Sequence, residues 1–395
     1  MKYMGSKRRM LLNGLGELIC DQAQYAQRIV DLFCGAGSVA WYAAQNTALP
    51  VLAVDMQAYA VVMARAVIAR NVALDPEQLG KNWFAEVRRA RSRSKLFHLA
   101  AGLQEDKSIS ELVQAARNLC KRGASRTRPI WSAYGGYYFS PAQALTFDYL
   151  LKYLPKEEPS HSVCLAATIS AASMCAAAPG HTAQPFRPTP TAGPFLLEAW
   201  SHDPFTYCRK ALDEICPQHA QVVGEAVVGD AVRFAAELQS GDLVIVDPPY
   251  SGVQYSRFYH VLETIARGFC GPVSGAGRYP SISERPQSDF SKKSQAESAL
   301  RSLLTTLSAK GVTTIFTFPA GKCSNGLSGK VVVDIAQNWF EVEVQSVNGQ
   351  FSTLGGNNNH RASRSPSKEL LLLLQPRSRS RRSSDRNRSR KTGLS

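Results

Sequence analysis

The chain of 395 residues has no C-x-x-C pair among its nine cysteines. That absence excludes a zinc ribbon, and the odd number argues against a disulfide framework. Reduced thiols of a cytoplasmic protein fit better, and no metal is expected. No apolar run is long enough for a membrane span, since the longest, residues 163–178, is short and rich in Ser, Thr and Ala. The start faintly imitates a signal peptide but is expected to be a basic loop and helix instead: Asn13 and Glu17 interrupt the apolar stretch behind Lys7, Arg8 and Arg9, and no small-residue cleavage site follows. Acid is the scarce charge, with 31 Asp and Glu against 46 Lys and Arg, a net +15. Eight bases between Arg377 and Lys391 against Asp385 account for a surplus of seven. The remaining excess lies in the body and favours a polyanionic partner, with nucleic acid the natural candidate.

Among what is present, the most informative stretch is Gly241-Asp242-Leu243-Val244-Ile245-Val246-Asp247-Pro248-Pro249-Tyr250. Its apolar run suits a central parallel strand, and two prolines that cannot donate to a ladder must stop it. Asp247 then stands at the carboxyl end of a strand, where open α/β sheets bind ligands. A carboxylate and the following carbonyl can together accept both N–H groups of a planar amine, and Tyr250 offers a stacking face. Taken alone, the motif suits any planar amine or a strand that simply ends in a Pro-Pro turn.

A second strand-to-turn unit comes earlier. Residues Arg28 to Asp31 run into Leu32-Phe33-Cys34-Gly35-Ala36-Gly37-Ser38, a Gly-x-Gly turn before a helix through Val39, Trp41 and Tyr42. Another apolar strand, Val51 to Val54, ends in Asp55, at the spacing where an acid accepts from ribose hydroxyls. The phosphate fingerprint G-x-G-x-x-G is incomplete because position 40 is Ala. A cofactor with ribose but no pyrophosphate is therefore preferred.

Helices are expected over about Met10 to Gln22, Ala58 to Asn71, Pro141 to Leu154, Ser162 to Ala178 and Pro204 to Ile215, with a strand near Gln221 to Val228 ahead of Asp230. Ser294-Gln295-Ala296-Glu297 has the capping-box pattern and should open another helix. The end of the chain reads as a strand at Val312 to Phe318, a helix at Lys330 to Trp339 and a strand pair at Phe340 to Val347 and Glu369 to Gln375. Between these elements, Arg88, Arg89, Arg91, Arg93, Lys95, Lys121, Arg122, Arg126 and Arg128 precede the aromatics Trp131, Tyr134, Tyr137, Tyr138 and Phe139. Bases interleaved with aromatics suit phosphate contact and base stacking, or a solvated helix beside a small aromatic core.

The ordered set Lys2-Tyr3-Met4-Gly5-Ser6-Lys7-Arg8, Asp31-Leu32-Phe33-Cys34-Gly35-Ala36-Gly37, Asp55 and Asp247-Pro248-Pro249-Tyr250 resembles the adenine-N6 DNA methyltransferases of the D12 class, which include the Dam-type enzymes. Residues Thr353 to Asn359, with Arg361 and Arg364, resemble the family's late loop near the flipped base. The resemblance implies an α/β, Rossmann-like seven-stranded class I S-adenosylmethionine-dependent methyltransferase with an inserted, largely helical target-recognition region. It implies methylation of adenine N6 in double-stranded DNA with S-adenosylmethionine as donor. Tyr3 and Lys7 would contact the cofactor, with Asp31, Phe33, Gly35, Gly37, Asp230 and Asp247; Asp55 would be the ribose acid. Asp247, Pro248 and Tyr250 would form the catalytic set on a flipped base.

On this reading residues 1–74 and 220–375 form the methyltransferase domain, 75–219 the insertion and 376–395 a disordered basic Arg/Ser tail. The insertion's length and Pro-rich end depart from compact Dam-type enzymes. N4-cytosine methylation uses the same amine geometry and is the nearest rival, although its enzymes more often carry Ser in place of the Asp. Cytosine carbon-5 methylation needs a thiolate, usually in a Pro-Cys turn, and no Pro-Cys dipeptide occurs. A non-catalytic nucleic-acid-binding protein of similar fold is opposed by the intact motifs. The expected protein is a cytoplasmic monomer or weak dimer, acting alone or beside a cognate restriction or defence system.

Overall fold

The computed structural model describes residues 7–103, 108–352 and 364–377. Among them the strands are β1 (Arg28–Asp31), β2 (Val51–Asp55), β3 (Glu225–Val228), β4 (Asp242–Val246), β5 (Val273–Ser274), β6 (Tyr279–Pro280), β7 (Thr313–Pro319), β8 (Phe340–Ser352) and β9 (Arg364–Pro376). Seven form one sheet in the order β3-β2-β1-β4-β7-β9-β8, and β5 and β6 make a separate ribbon. Pairing is parallel from β3 through β7, while β9 runs antiparallel to both its neighbours. The chain is thus an α/β protein with a mostly parallel seven-stranded sheet.

Alternation along β4 shows why the sheet is covered on both sides. Leu243 and Ile245 enter one apolar cluster and Val244 and Val246 the other, as a strand buried on both faces requires. Helices Ser38–Asn46, Ala58–Ile68 and Tyr255–Arg267 cover the first face; Ala296–Lys310 and Gly329–Ala336 cover the second. The described residues of 76–215 add helices and no strand to this sheet. The helix Ser160–Cys175 packs against Ala58–Ile68 and Pro204–Ile215 within the first cluster. It is apolar on nearly every side because neighbours surround it. No helix among the described residues is long and apolar enough to cross a membrane.

Several local expectations change. The helix expected from Met10 to Gln22 is broken, because Asn13 and Gly14 leave helical dihedrals, Gly14 at φ 98°, before a helix resumes at Gly16–Ala23. The Ser294 capping box does not form: the helix starts at Ala296 with Gln295 as its N-cap and no side-chain cap bond. The third strand starts only at Glu225. Pro376 still belongs to β9, and Arg377 donates to the Gln337 and Phe340 carbonyls, so the ordered chain extends past Gln375.

The largest correction concerns the aromatics. Trp131, Tyr134, Tyr138 and Phe139 are completely buried, so they build core and offer no face to a nucleic-acid base. Their polar ends are satisfied internally: the Trp131 indole donates to the Cys120 carbonyl, the Tyr134 hydroxyl meets Thr264, and Tyr138 donates to the Thr182 and Gly277 carbonyls. Of that group only Tyr137 reaches the surface.

Candidate active site

Strand register gathers three carboxylates. Asp31 closes β1 opposite Ala53 of β2 and Ile245 of β4. Asp55 and Asp247 therefore each lie two residues beyond the positions flanking Asp31, at the carboxyl edge of adjacent parallel strands. Residues from three separated parts of the chain meet because their strands share one register.

The glycine turn ties this edge together. Gly35 and Gly37 have φ of 49° and 81°, backbone that a Cβ disfavours. At Gly37 a Cβ would also stand 2.8 Å from Trp41 Nε1 and 3.2 Å from the Ala64 Cα. The Gly35 N–H donates to Asp55 Oδ2 at 2.9 Å, and the Gln57 N–H donates to Oδ1 at 2.9 Å. The Phe33 N–H donates to Asp31 Oδ1 at 3.2 Å.

Lys7 supplies the cation. Its ammonium is buried, 3.0 Å from Asp247 Oδ1 and 2.8 Å from Glu369 Oε2. Burial alone would lower its pKa, but Asp247 and Glu369 together outweigh that and hold it above the ordinary lysine value. Thr317 Oγ1 donates to the same Asp247 Oδ1 at 2.7 Å. Both bonds load one carboxylate oxygen, and neither uses Oδ2.

Acid outnumbers base here, and the titration behaviour follows. Burial pushes Asp31 up to about 8, helped by the charges of Asp247 and Asp55 and opposed by the Phe33 N–H. Burial likewise lifts Asp55 to about 6 against the backbone donors of Gln57 and Gly35. Asp247 is raised by burial, with Lys7 and Thr317 pulling the other way. An incoming cation would be stabilised by this arrangement.

Two cavities adjoin at these residues. One is a cleft with about 730 Å³ of empty space, continuous with solvent, whose lining includes Phe33, Gly35, Asp55, Asp247, Pro248 and Tyr250. The other, of about 390 Å³, reaches Lys7, Asp31, Gly35 and Thr317. Phe33, Gly35 and Asp247 border both. Among the described residues no hydrogen bond ends on the Pro248 carbonyl, whereas the Pro249 carbonyl accepts from Asn325 Nδ2 at 3.1 Å. Asn325 also donates to the Phe290 carbonyl and is fully buried, so it pins the Pro-Pro turn. Tyr250 lines the cleft beside Tyr255, which hydrogen-bonds to it.

The structure thus places Lys7, Asp31, Phe33, Gly35, Asp55, Asp247, Pro248 and Tyr250 around two adjoining cavities, with Gly37 supporting the turn behind them. Asp230 caps the short helix Ala231–Phe234 by accepting from the Arg233 N–H at 3.1 Å, while its neighbours Gly229 and Ala231 line the cleft. Tyr3, Thr353 to Asn359 and Arg361 lie outside the described residues, as does the tail after Arg377. Glu369, Thr317 and Asn325 escape sequence reading, although a Lys-Glu pair heading the Leu370–Leu374 run was a visible irregularity.

A mostly parallel sheet with a glycine turn, two strand-end acids and an Asp-Pro-Pro-Tyr turn in one cleft places these residues where open α/β sheets bind ligands. Residues 3–119 match the family model of the D12 class N6 adenine-specific DNA methyltransferases. Over that N-terminal segment, which carries the glycine turn and Asp55, the chain is similar to the adenine-specific DNA methyltransferases of that class. No curated protein matched the chain in a search, and no solved structure did.

Proposed function

We propose that the chain takes its methyl group from S-adenosylmethionine, held across the two adjoining cavities, and delivers it to adenine N6 on a base flipped out of duplex DNA. The observation that carries the reading is the state of Asp247: Oδ1 is occupied by Lys7 and Thr317, while Oδ2 and the Pro248 carbonyl are clear of those bonds. These two acceptors suit the two N–H groups of an exocyclic amine. Accepting from both would turn the nitrogen lone pair out of the base plane. Tyr250 supplies a face for the extrahelical base. When bound, the cofactor supplies an electrophilic sulfonium methyl group, so the protein's work is alignment and charge placement.

The acid-rich pair of cavities fits such a cationic cofactor. Asp55 is placed for ribose hydroxyls, Asp31 for positive charge, and Phe33 and the Gly35 backbone for close packing; Lys7 favours the charged form of Asp247 against the effect of burial. Tyr3 and Asp230 belong to the same proposed cofactor set on sequence grounds. The strand order, renumbered without the ribbon as 3-2-1-4-5-7-6 with an antiparallel seventh strand, supports a class I methyltransferase sheet. Residues 75–219 are proposed as the target-recognition insertion, between the two methyltransferase segments 1–74 and 220–375. All nine cysteines are unpaired, which supports a cytoplasmic setting.

The test is to incubate the protein with DNA and methyl-labelled S-adenosylmethionine, digest, and identify the nucleoside carrying label. Label in N6-methyladenine, lost in Asp247→Ala, is the expected result. Label in N4-methylcytosine, or in neither, would sink the reading.

A further inference from the structure

The arginines around the β5–β6 ribbon are arranged in an unusual way. Arg257 and Arg285 place their guanidinium carbons 4.9 and 5.4 Å from the centre of the Tyr279 ring. One residue away, Arg278 and Arg117 lie 4.5 and 4.2 Å from the Tyr137 ring. Each tyrosine thus carries two arginines, and among the described residues none of the four is in an ion pair.

Considerable structure is spent on holding these like charges together. Arg278 has φ of 54°, the left-handed region unfavourable to a side chain, and its Nε donates to the Ala133 carbonyl at 2.8 Å. The ribbon beneath is bolted to the core where Tyr138 donates to the Gly277 carbonyl and His260 Nε2 meets the same oxygen at 2.9 Å. Arg285 Nε is buried without a hydrogen-bond partner. Burial and the neighbouring Arg257 both lower the Arg285 pKa, and burial with Arg278 does the same to Arg117. Mutual repulsion of this kind is offset when an anion arrives.

Position identifies the anion. Arg257 follows Gln254, Tyr255 and Ser256, and Arg285 precedes Pro286, all of which line the cleft holding Asp247. Arg285 itself lines a small neighbouring cavity together with Ser256 and Pro286, the two residues that this cavity shares with the cleft, and Arg257 follows Ser256 in the chain. Resting on the DNA methylation reading above, we propose that Arg257 and Arg285, braced on Tyr279 with Arg278 beside them, clamp the DNA phosphate flanking the nucleotide presented to Asp247. Guanidinium forks match phosphate oxygens, and a ring beneath them fixes their orientation without consuming the N–H groups. Such contacts position the backbone and carry no sequence information.

The experiment measures binding of a fluorescein-labelled duplex to the full chain as NaCl is varied. Arg257→Ala should reduce the slope of log affinity against log salt by about 1, and Arg257→Ala with Arg285→Ala should weaken binding by about tenfold or more. Arg257→Lys should keep most of the slope, and Arg301→Ala, on a helix of the other sheet face, should leave it unchanged. S-adenosylmethionine affinity by calorimetry should stay within about twofold in every variant, because phosphate contacts act on DNA alone. Arg257 is exposed, so its variant folds even if loss of the half-buried Arg285 lowers Tm. N6-methyladenine formed by the parent chain, with an unchanged slope in Arg257→Ala, would overturn the clamp and leave the methylation reading intact. A reduced slope with no methylated adenine would do the reverse.

Discussion

The Lys7 ammonium stands 3.0 Å from Asp247 Oδ1, joining the N-terminal segment to the strand-end motif from the far side of the chain. Glu369 at 2.8 Å completes a buried acid-base-acid bridge. Removing the cation leaves two carboxylates facing each other with little water. Lys7→Met should therefore cost about 3–5 kcal/mol of stability, seen in denaturant unfolding, and should abolish methyl transfer. Glu369→Gln keeps a hydrogen-bond partner and should cost about 1–3 kcal/mol, with activity reduced but measurable. Parent-like stability in Lys7→Met would remove the bridge from the account.

Asp31 gives the site a pH dependence of definite sign. Its folded-state pKa of about 8 lies above the ordinary carboxylate value of 3.8, so the folded state binds the proton more tightly than the unfolded state. Its favourable contribution is complete below the unfolded value and is lost as pH rises towards 8. Asp31→Asn removes the ionisable group, so its Tm relative to the parent should rise between pH 4 and pH 8 and then level off. Parallel Tm curves for the two proteins across that range would contradict the assignment.

Cofactor binding should carry a proton signature for the same reason. A cation entering beside Asp31 and Asp55, the latter at about 6, favours their charged forms and releases protons. Calorimetry of S-adenosylmethionine binding at pH 7, repeated in buffers of different ionisation enthalpy, should show net proton release, smaller in Asp31→Asn. Zero release in the parent would count against the cofactor's charge lying near these acids.

Asn325 offers a test of the Pro-Pro turn. Its amide bonds to the Pro249 and Phe290 carbonyls are buried, so Asn325→Ala should cost about 1–3 kcal/mol and loosen the turn that presents Asp247. We expect kcat for methyl transfer to fall by about tenfold or more, with S-adenosylmethionine affinity little altered. An unaltered kcat would show that the turn holds its shape without the amide.

Gly37 is constrained twice, by its φ of 81° and by the space a Cβ would need beside Trp41 and Ala64. Gly37→Ala should destabilise the fold by about 1–3 kcal/mol and weaken cofactor binding through the displaced turn. Parent-like Tm and affinity would show that the helix ends adjust freely.

What the amino-acid sequence by itself determined was the set of local devices with short-range causes. The Leu243 to Val246 run stopped by two prolines, the Gly35 and Gly37 turn, and Asp55 closing its strand are each dictated by residues a few positions apart, and they disclosed the cleft-lining acids. Tertiary structure decided the rest. Whether Trp131 and Tyr138 were stacking faces or core depended on what packed over them, and burial made them core. Glu369 joined the site only because β9 runs antiparallel beside β7 and pairs Glu369 with Pro319 at the end of that strand, within reach of Lys7. The arginines on Tyr279 and Tyr137 come from four separate segments, and no local pattern records a meeting that the packing of the ribbon against the helical segment creates.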